Sequence, residues 1–168
     1  SVSNAPISTA GNLTMVSIGK MFYGASGNIT MTGAGKALTL TADSFSFSTN
    51  ITSTGPVTIQ PYNDSFSSDI NLPMTGLTLG ANINALTIGK PSNTSKVTII
   101  SAVTIAGPVT VYGGKIVISP NANLSAAGNI LLDADTGSQL AGNFQGVLIN
   151  ANVSTTAASN GNITILGR

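Results

Sequence analysis

Catalysis by histidine or cysteine is closed to this chain, which contains neither residue. Its acids are Asp43, Asp64, Asp69, Asp133 and Asp135, and its only arginine is Arg168. The closest spacing is Asp133-Ala134-Asp135, two carboxylates at alternate positions ahead of Thr136-Gly137. That pair is the one metal candidate, but a calcium ion takes about six to eight oxygen ligands and no further acid lies nearby in sequence. A loop or strand edge is the plainer account of the pair. Asp64 and Asp69 flank Phe66 in a polar stretch and offer less. Enzymes that cleave polysaccharides on a β-helix need clustered acids with Arg or Lys, and a shared fold does not confer the activity. The chain therefore reads as non-enzymatic, with no cofactor and no metal.

Hydroxyls and amides are the other chemistry in the sequence. Thr14, Thr30, Thr58, Thr87, Thr110 and Thr164 each sit between two apolar residues. On strands they would point outward and line up as a ladder, a candidate binding face for ice or a crystalline polysaccharide; a β-branched residue on a wet strand face is the plainer account. Eight Asn-x-Ser/Thr triplets begin at Asn12, Asn28, Asn50, Asn63, Asn93, Asn123, Asn152 and Asn162. Six read as the corner residue of a repeat, and Asn63 and Asn93, in longer excursions, read as the better glycan acceptors. Tyr23, Tyr62 and Tyr112 are too scattered to form a sugar-stacking platform.

The elements that would position these residues are clearest from Val103 to Leu132. Five apolar or β-branched runs begin at Val103, Val109, Ile116, Leu124 and Ile130, and each stops at Gly, Pro or Asn. Val103 and Leu124 lie 21 residues apart, as do Val109 and Ile130. Runs this short are unstable alone and must pair. The spacing predicts a β-solenoid in which each strand pairs in parallel with its equivalent one rung on. The motif is an apolar start, small residues, Gly-Asn or Gly-Pro, then apolar-Thr-apolar. It recurs at Ile7–Met15, Phe22–Met31, Ile51–Ile59, in the two copies just described, and at Val153–Ile165. Leu77-Thr78-Leu79 and Leu86-Thr87-Ile88 fill the same roles. Gly and Asn are expected at corners because they tolerate positive φ. Third strands are expected near Leu38–Leu40, Asp69–Leu72, Val97–Ile99, Ile116–Ile118 and Val147–Ile149, giving three strands per rung and six to seven rungs, roughly 30 Å in all. Excursions are expected at Asp43–Asn50, Gln60–Asp69, Lys90–Lys96 and Asp133–Gly146.

Composition supports an all-β domain spanning residues 1–168. The chain is 42% hydrophobic and 7% charged, which excludes the high-charge, low-hydropathy signature of disorder. Glu is absent, and Lys, Arg and Gln are too sparse to coat helices. A net charge of +1 offers no basic patch for nucleic acid, and no apolar run approaches the roughly 18 residues of a membrane helix. The chain opens at Ser1 without a signal peptide, which reads as a processed protein or an excised segment.

Gly27-Asn28-Ile29-Thr30-Met31, Ala85–Lys90 and Ile105–Gly114 resemble the repeat regions of filamentous-haemagglutinin-like bacterial adhesins, exoproteins secreted by a two-partner route. The resemblance covers nearly the whole chain as a texture of repeats, without that family's amino-terminal secretion domain. It implies a right-handed parallel β-helix, a hand that parallel crossovers also favour. It further implies an extracellular or cell-surface shaft segment with structural and adhesive roles. The expected partners are neighbouring copies in end-to-end contact, because no polar cap is visible at either end, and surface glycans. The competing readings are a carbohydrate- or ice-binding module and a β-helical polysaccharide enzyme.

Overall fold

In the computed structural model, residues 6–24, 28–47, 51–77, 79, 82–137, 145–156, 158 and 160–167 are described. Short β-branched runs punctuated by Gly, Pro and Asn give short strands. In chain order these are β1 (Ile7–Thr9), β2 (Leu13–Val16), β3 (Lys20–Tyr23), β4 (Ile29–Met31), β5 (Leu38–Thr41), β6 (Ser44–Phe47) and β7 (Ile51–Thr52). Next come β8 (Pro56–Gln60), β9 (Ile70–Leu72), β10 (Ala85–Ile88), β11 (Lys96–Ile99), β12 (Val103–Ile105) and β13 (Val109–Gly113). The last are β14 (Lys115–Ile118), β15 (Leu124–Ala126), β16 (Ile130–Ala134), β17 (Val147–Ile149), β18 (Val153–Thr155) and β19 (Ile163–Gly167).

No α-helix occurs among the described residues, and every strand pairing is parallel. One seven-stranded sheet runs β2-β5-β8-β10-β13-β16-β19. Beside it stand a four-stranded sheet β9-β11-β14-β17, two three-stranded sheets, β1-β4-β7 and β12-β15-β18, and the pair β3-β6. The chain thus returns to the same sheet after every two or three strands, the order expected when equivalent strands of successive repeats pair.

Parallel register makes like residues stack. Leu13, Leu38, Val57, Leu86, Val109, Ile130 and Ile163 form one file of the large sheet. Met15, Leu40, Ile59, Ile88, Val111, Leu132 and Ile165 form a second. From Leu38 to Ile130 and from Leu40 to Leu132 the two files are buried in one continuous core. Alternation along each strand puts these side chains inward and the intervening residue outward.

Three expectations change on contact with the structure. Ser44–Phe47, expected in an excursion, is strand β6. Leu38–Leu40, expected as a third strand, belongs to the large sheet, and Ile29–Met31 belongs to the small sheet with β1 and β7. The apolar-Thr-apolar triplet occurs on several faces, so the triplet alone does not say which face it lies on. The other expected third strands do share one sheet, β9-β11-β14-β17.

The corner glycines also have a different cause from the expected one. Gly55, Gly107, Gly128 and Gly161 do not have positive φ. A Cβ on Gly107 would overlap the carbonyl oxygen of Asn84, and one on Gly128 would lie 2.7 Å from the nitrogen of Pro108. These positions need Gly because the backbones of consecutive repeats touch there. The neighbouring Asn residues act through their side chains. Asn12 Oδ1 accepts from Ala37 N at 3.0 Å, Asn123 Oδ1 from Asn152 N at 3.1 Å, and Asn129 Oδ1 from Asn162 N at 2.9 Å. Each amide side chain thereby satisfies a corner N–H in the next repeat, where no strand ladder reaches.

Candidate functional site

The outward column of the large sheet is the most regular chemical surface. Its register runs Thr14, Thr39, Thr58, Thr87, Thr110, Leu131, Thr164. Hydroxyls on adjacent parallel strands repeat at about 4.8 Å. Thr14, Thr58, Thr87, Thr110 and Thr164 therefore lie in one column, as expected from the sequence. Thr30 does not: it stands between Ser8 and Thr52 on the small sheet. Thr39 takes the place assigned to it, and Leu131 interrupts the column before Thr164. Leu38-Thr39-Leu40 carried the necessary signal, lying 19 residues before Val57-Thr58-Ile59. Around Leu131 the surface dips into a shallow hollow of about 360 Å³, lined by Pro108, Thr110, Asn129, Asn162 and Thr164.

The carboxylates are spread over several corners. Asp133, expected to open an excursion, lies in β16, and Asp135 follows that strand; they are 5% and 3% exposed. Asp135 has φ 54° and its N–H donates to the Gly113 carbonyl at 2.8 Å, so this segment is a tight, buried corner. Among the described residues no three acids, histidines or cysteines gather. Asp64 is exposed, and its carbonyl accepts from Ser92 Oγ at 2.8 Å. Asp69 pairs with Lys96 Nζ at 2.8 Å.

Of the two sequons expected to be the better glycan acceptors, Asn93 is structural instead, whereas Asn63 is exposed and bonds to Asp43. Asn93 is 2% exposed. Its Nδ2 donates to the Tyr112 carbonyl at 3.0 Å, and its Oδ1 accepts from Ser65 Oγ at 2.9 Å and Ser95 N at 3.2 Å. A glycan cannot be attached to a nitrogen held inside a corner in this way. Asn63 Nδ2 donates to Asp43 Oδ2, while Asn63 N donates to Asp43 Oδ1 at 2.8 Å. Asp43, Asn63, Ser65, Asn93 and Ser95 thus tie together the excursions of three consecutive repeats. The sequence shows only their polarity. Their pairing needs the register. Asn50 lies outside the described residues, as does Thr78 of Leu77-Thr78-Leu79.

No protein-family model matches the sequence, and neither the curated proteins nor the solved structures compared with it give a match.

Proposed function

We propose that this chain is a structural and adhesive shaft module of an extracellular bacterial fibre, similar to the shafts of filamentous-haemagglutinin-like adhesins. In this reading the parallel sheets wind as a right-handed β-solenoid of three strands per rung and six to seven rungs. The module is non-enzymatic, needs no cofactor, and works at the cell surface. The observation that carries the reading is the edge strand β19. Its Ile163 and Ile165 continue the two inner files, yet they are 42% and 45% exposed, where Ile130 and Leu132 before them are buried. A following apolar-Thr-apolar strand would bury them, whether from the same polypeptide or from a second copy. At the opposite edge of the same sheet β2 offers Leu13-Thr14-Met15, so copies stacked head to tail would extend one sheet. In that register Asn162 falls opposite Asn12 and could extend the Asn129–Asn162 series.

The test uses the chain's lack of cysteine. Thr14→Cys and Thr164→Cys, introduced together, would face each other across a β19–β2 junction, close enough to oxidise. A ladder of disulfide-linked multimers, with filaments in electron micrographs, is the expected result. A monodisperse monomer at high concentration that forms no cross-link overturns it. The in-register hydroxyls of Thr14, Thr39, Thr58, Thr87 and Thr110 favour a second reading, a face that binds ice or crystalline polysaccharide. Loss of such binding in Thr58→Val and Thr87→Val would support it.

A further inference from the structure

The sheet beside the seven-stranded one is split. Among the described residues β6 pairs only with β3, and β9 pairs only with β11, although β6 and β9 follow each other in adjacent repeats. The two chains are still joined just before β6, where Ser67 N donates to the Asp43 carbonyl at 2.7 Å. They meet again beyond it, where a Cβ on Gly76 would lie 2.6 Å from the Phe47 carbonyl. Between these two closures the strands part, leaving a slot of about 280 Å³.

Bulky rings gather at the split. Phe45 and Phe47 lie in register with Met21 and Tyr23, so they occupy inner-file positions. The Phe45 ring packs on Phe47 at 5.6 Å and edge-on to Phe66 at 6.1 Å. Because no strand bonds across the gap, the slot reaches the inner file and the outer face together. Its apolar lining includes Phe45 and Met74, and its polar lining is Ser46, Ser68, Asp69, Asn71 and Thr75.

An apolar surface that includes an aromatic ring, together with a carboxylate, an amide and three hydroxyls, matches the two-sided chemistry of a sugar ring. The C–H face of a pyranose would lie on the apolar lining, and its hydroxyls would donate to Asp69 or exchange hydrogen bonds with Asn71. Lys96 neutralises Asp69 at 2.8 Å, and no other charged residue lines the slot, so the fitting ligand is uncharged. The volume lies just below the usual range of ligand pockets, about 300 to 1,000 Å³, and suits one ring better than an extended chain.

We propose that the slot between β6 and β9 binds one neutral pyranose unit of a glycan. The site is independent of end-to-end assembly. It is tested by calorimetric titration of the protein with glucose, galactose, mannose and N-acetylglucosamine, with glucuronate as the charged control. The expected result is saturable binding of at least one neutral sugar, with a Kd of about 1 mM. Binding should fall at least about tenfold in Asn71→Ala and in Asp69→Asn, each with an unchanged melting temperature. Binding should survive Thr87→Val, which lies on the other sheet. No saturable binding by any of the four neutral sugars overturns the proposal. So does binding that both slot variants leave intact, or that Thr87→Val removes.

Discussion

The seven-stranded sheet and its split neighbour are built from the same repeats, yet one is continuous and the other is not. In the large sheet every inner position of the two files is aliphatic: Leu, Val, Ile or Met. Side chains of similar size stack at the strand spacing without forcing the backbones apart. In the neighbouring sheet the second repeat places Phe45 and Phe47 inward, and the next repeat reaches β9 only after the long segment between β8 and β9. Phe66, from that segment, packs into the core beside them. Three rings thus meet where hydrogen bonding between β6 and β9 lapses, whereas Phe45 and Phe47 stack on Met21 and Tyr23 with the β3–β6 ladder intact. Continuity is thus lost at the level where Phe66 joins the two rings of β6, and not wherever rings stack.

The contrast can be broken at its strongest point first. Val109 is buried in the continuous sheet between Leu86 and Ile130. Val109→Asp would bury a charge with no partner and should cost about 4 kcal/mol or more, most of a typical domain's stability. Denaturant melting checks this, and a midpoint equal to the parent's would refute the inward placement. Gly107→Ala should come next, at about 2 kcal/mol, because its Cβ would strike the Asn84 carbonyl across the repeat boundary. A neutral outcome would show that consecutive backbones can separate at that corner.

Phe45→Ala sharpens the comparison from the other side. A fully buried Phe typically costs about 3–5 kcal/mol on truncation. Phe45 is only half-buried, because the split leaves it uncovered, so about 2 kcal/mol is expected in the same melt. A loss as large as that of a fully buried ring would mean that the slot is closed in solution. Asn129→Ala should show the smallest effect, about 1 kcal/mol or less, from the lost hydrogen bond to Asn162 N. Amide exchange at Asn162 should accelerate in that variant while exchange at Val111 stays slow.

Much of the fold was legible in the sequence because apolar-Thr-apolar triplets state both the strand and its inward face. The 21-residue spacing from Val103 to Leu124 and from Val109 to Ile130 gave two registers that the structure reproduces. The assignment failed where the same triplet serves different faces, as Ile29-Thr30-Met31 does beside Leu38-Thr39-Leu40. It also failed at Ser44–Phe47, whose alternation of Ser and Phe is a strand pattern overshadowed by the neighbouring Asp and Asn. The tie between Asp43 and Asn63 joins residues 20 positions apart. The slot, in turn, exists only because two strands fail to bond. Neither feature has a local sequence signature, since each depends on which repeats end up adjacent.

The lapse between β6 and β9 also bears on force. In stacked parallel strands the interstrand hydrogen bonds point along the direction of stacking, so a pull in that direction loads successive repeats in series. A series of links yields at its weakest member. At the β6–β9 level one sheet contributes no ladder bonds, and the β5–β8 and β4–β7 pairings carry a larger share of the load. Stretched from its ends, the molecule should part first between the repeats that hold Phe45 and Ile70, leaving the stack from β8 and β9 onward intact as a single unit.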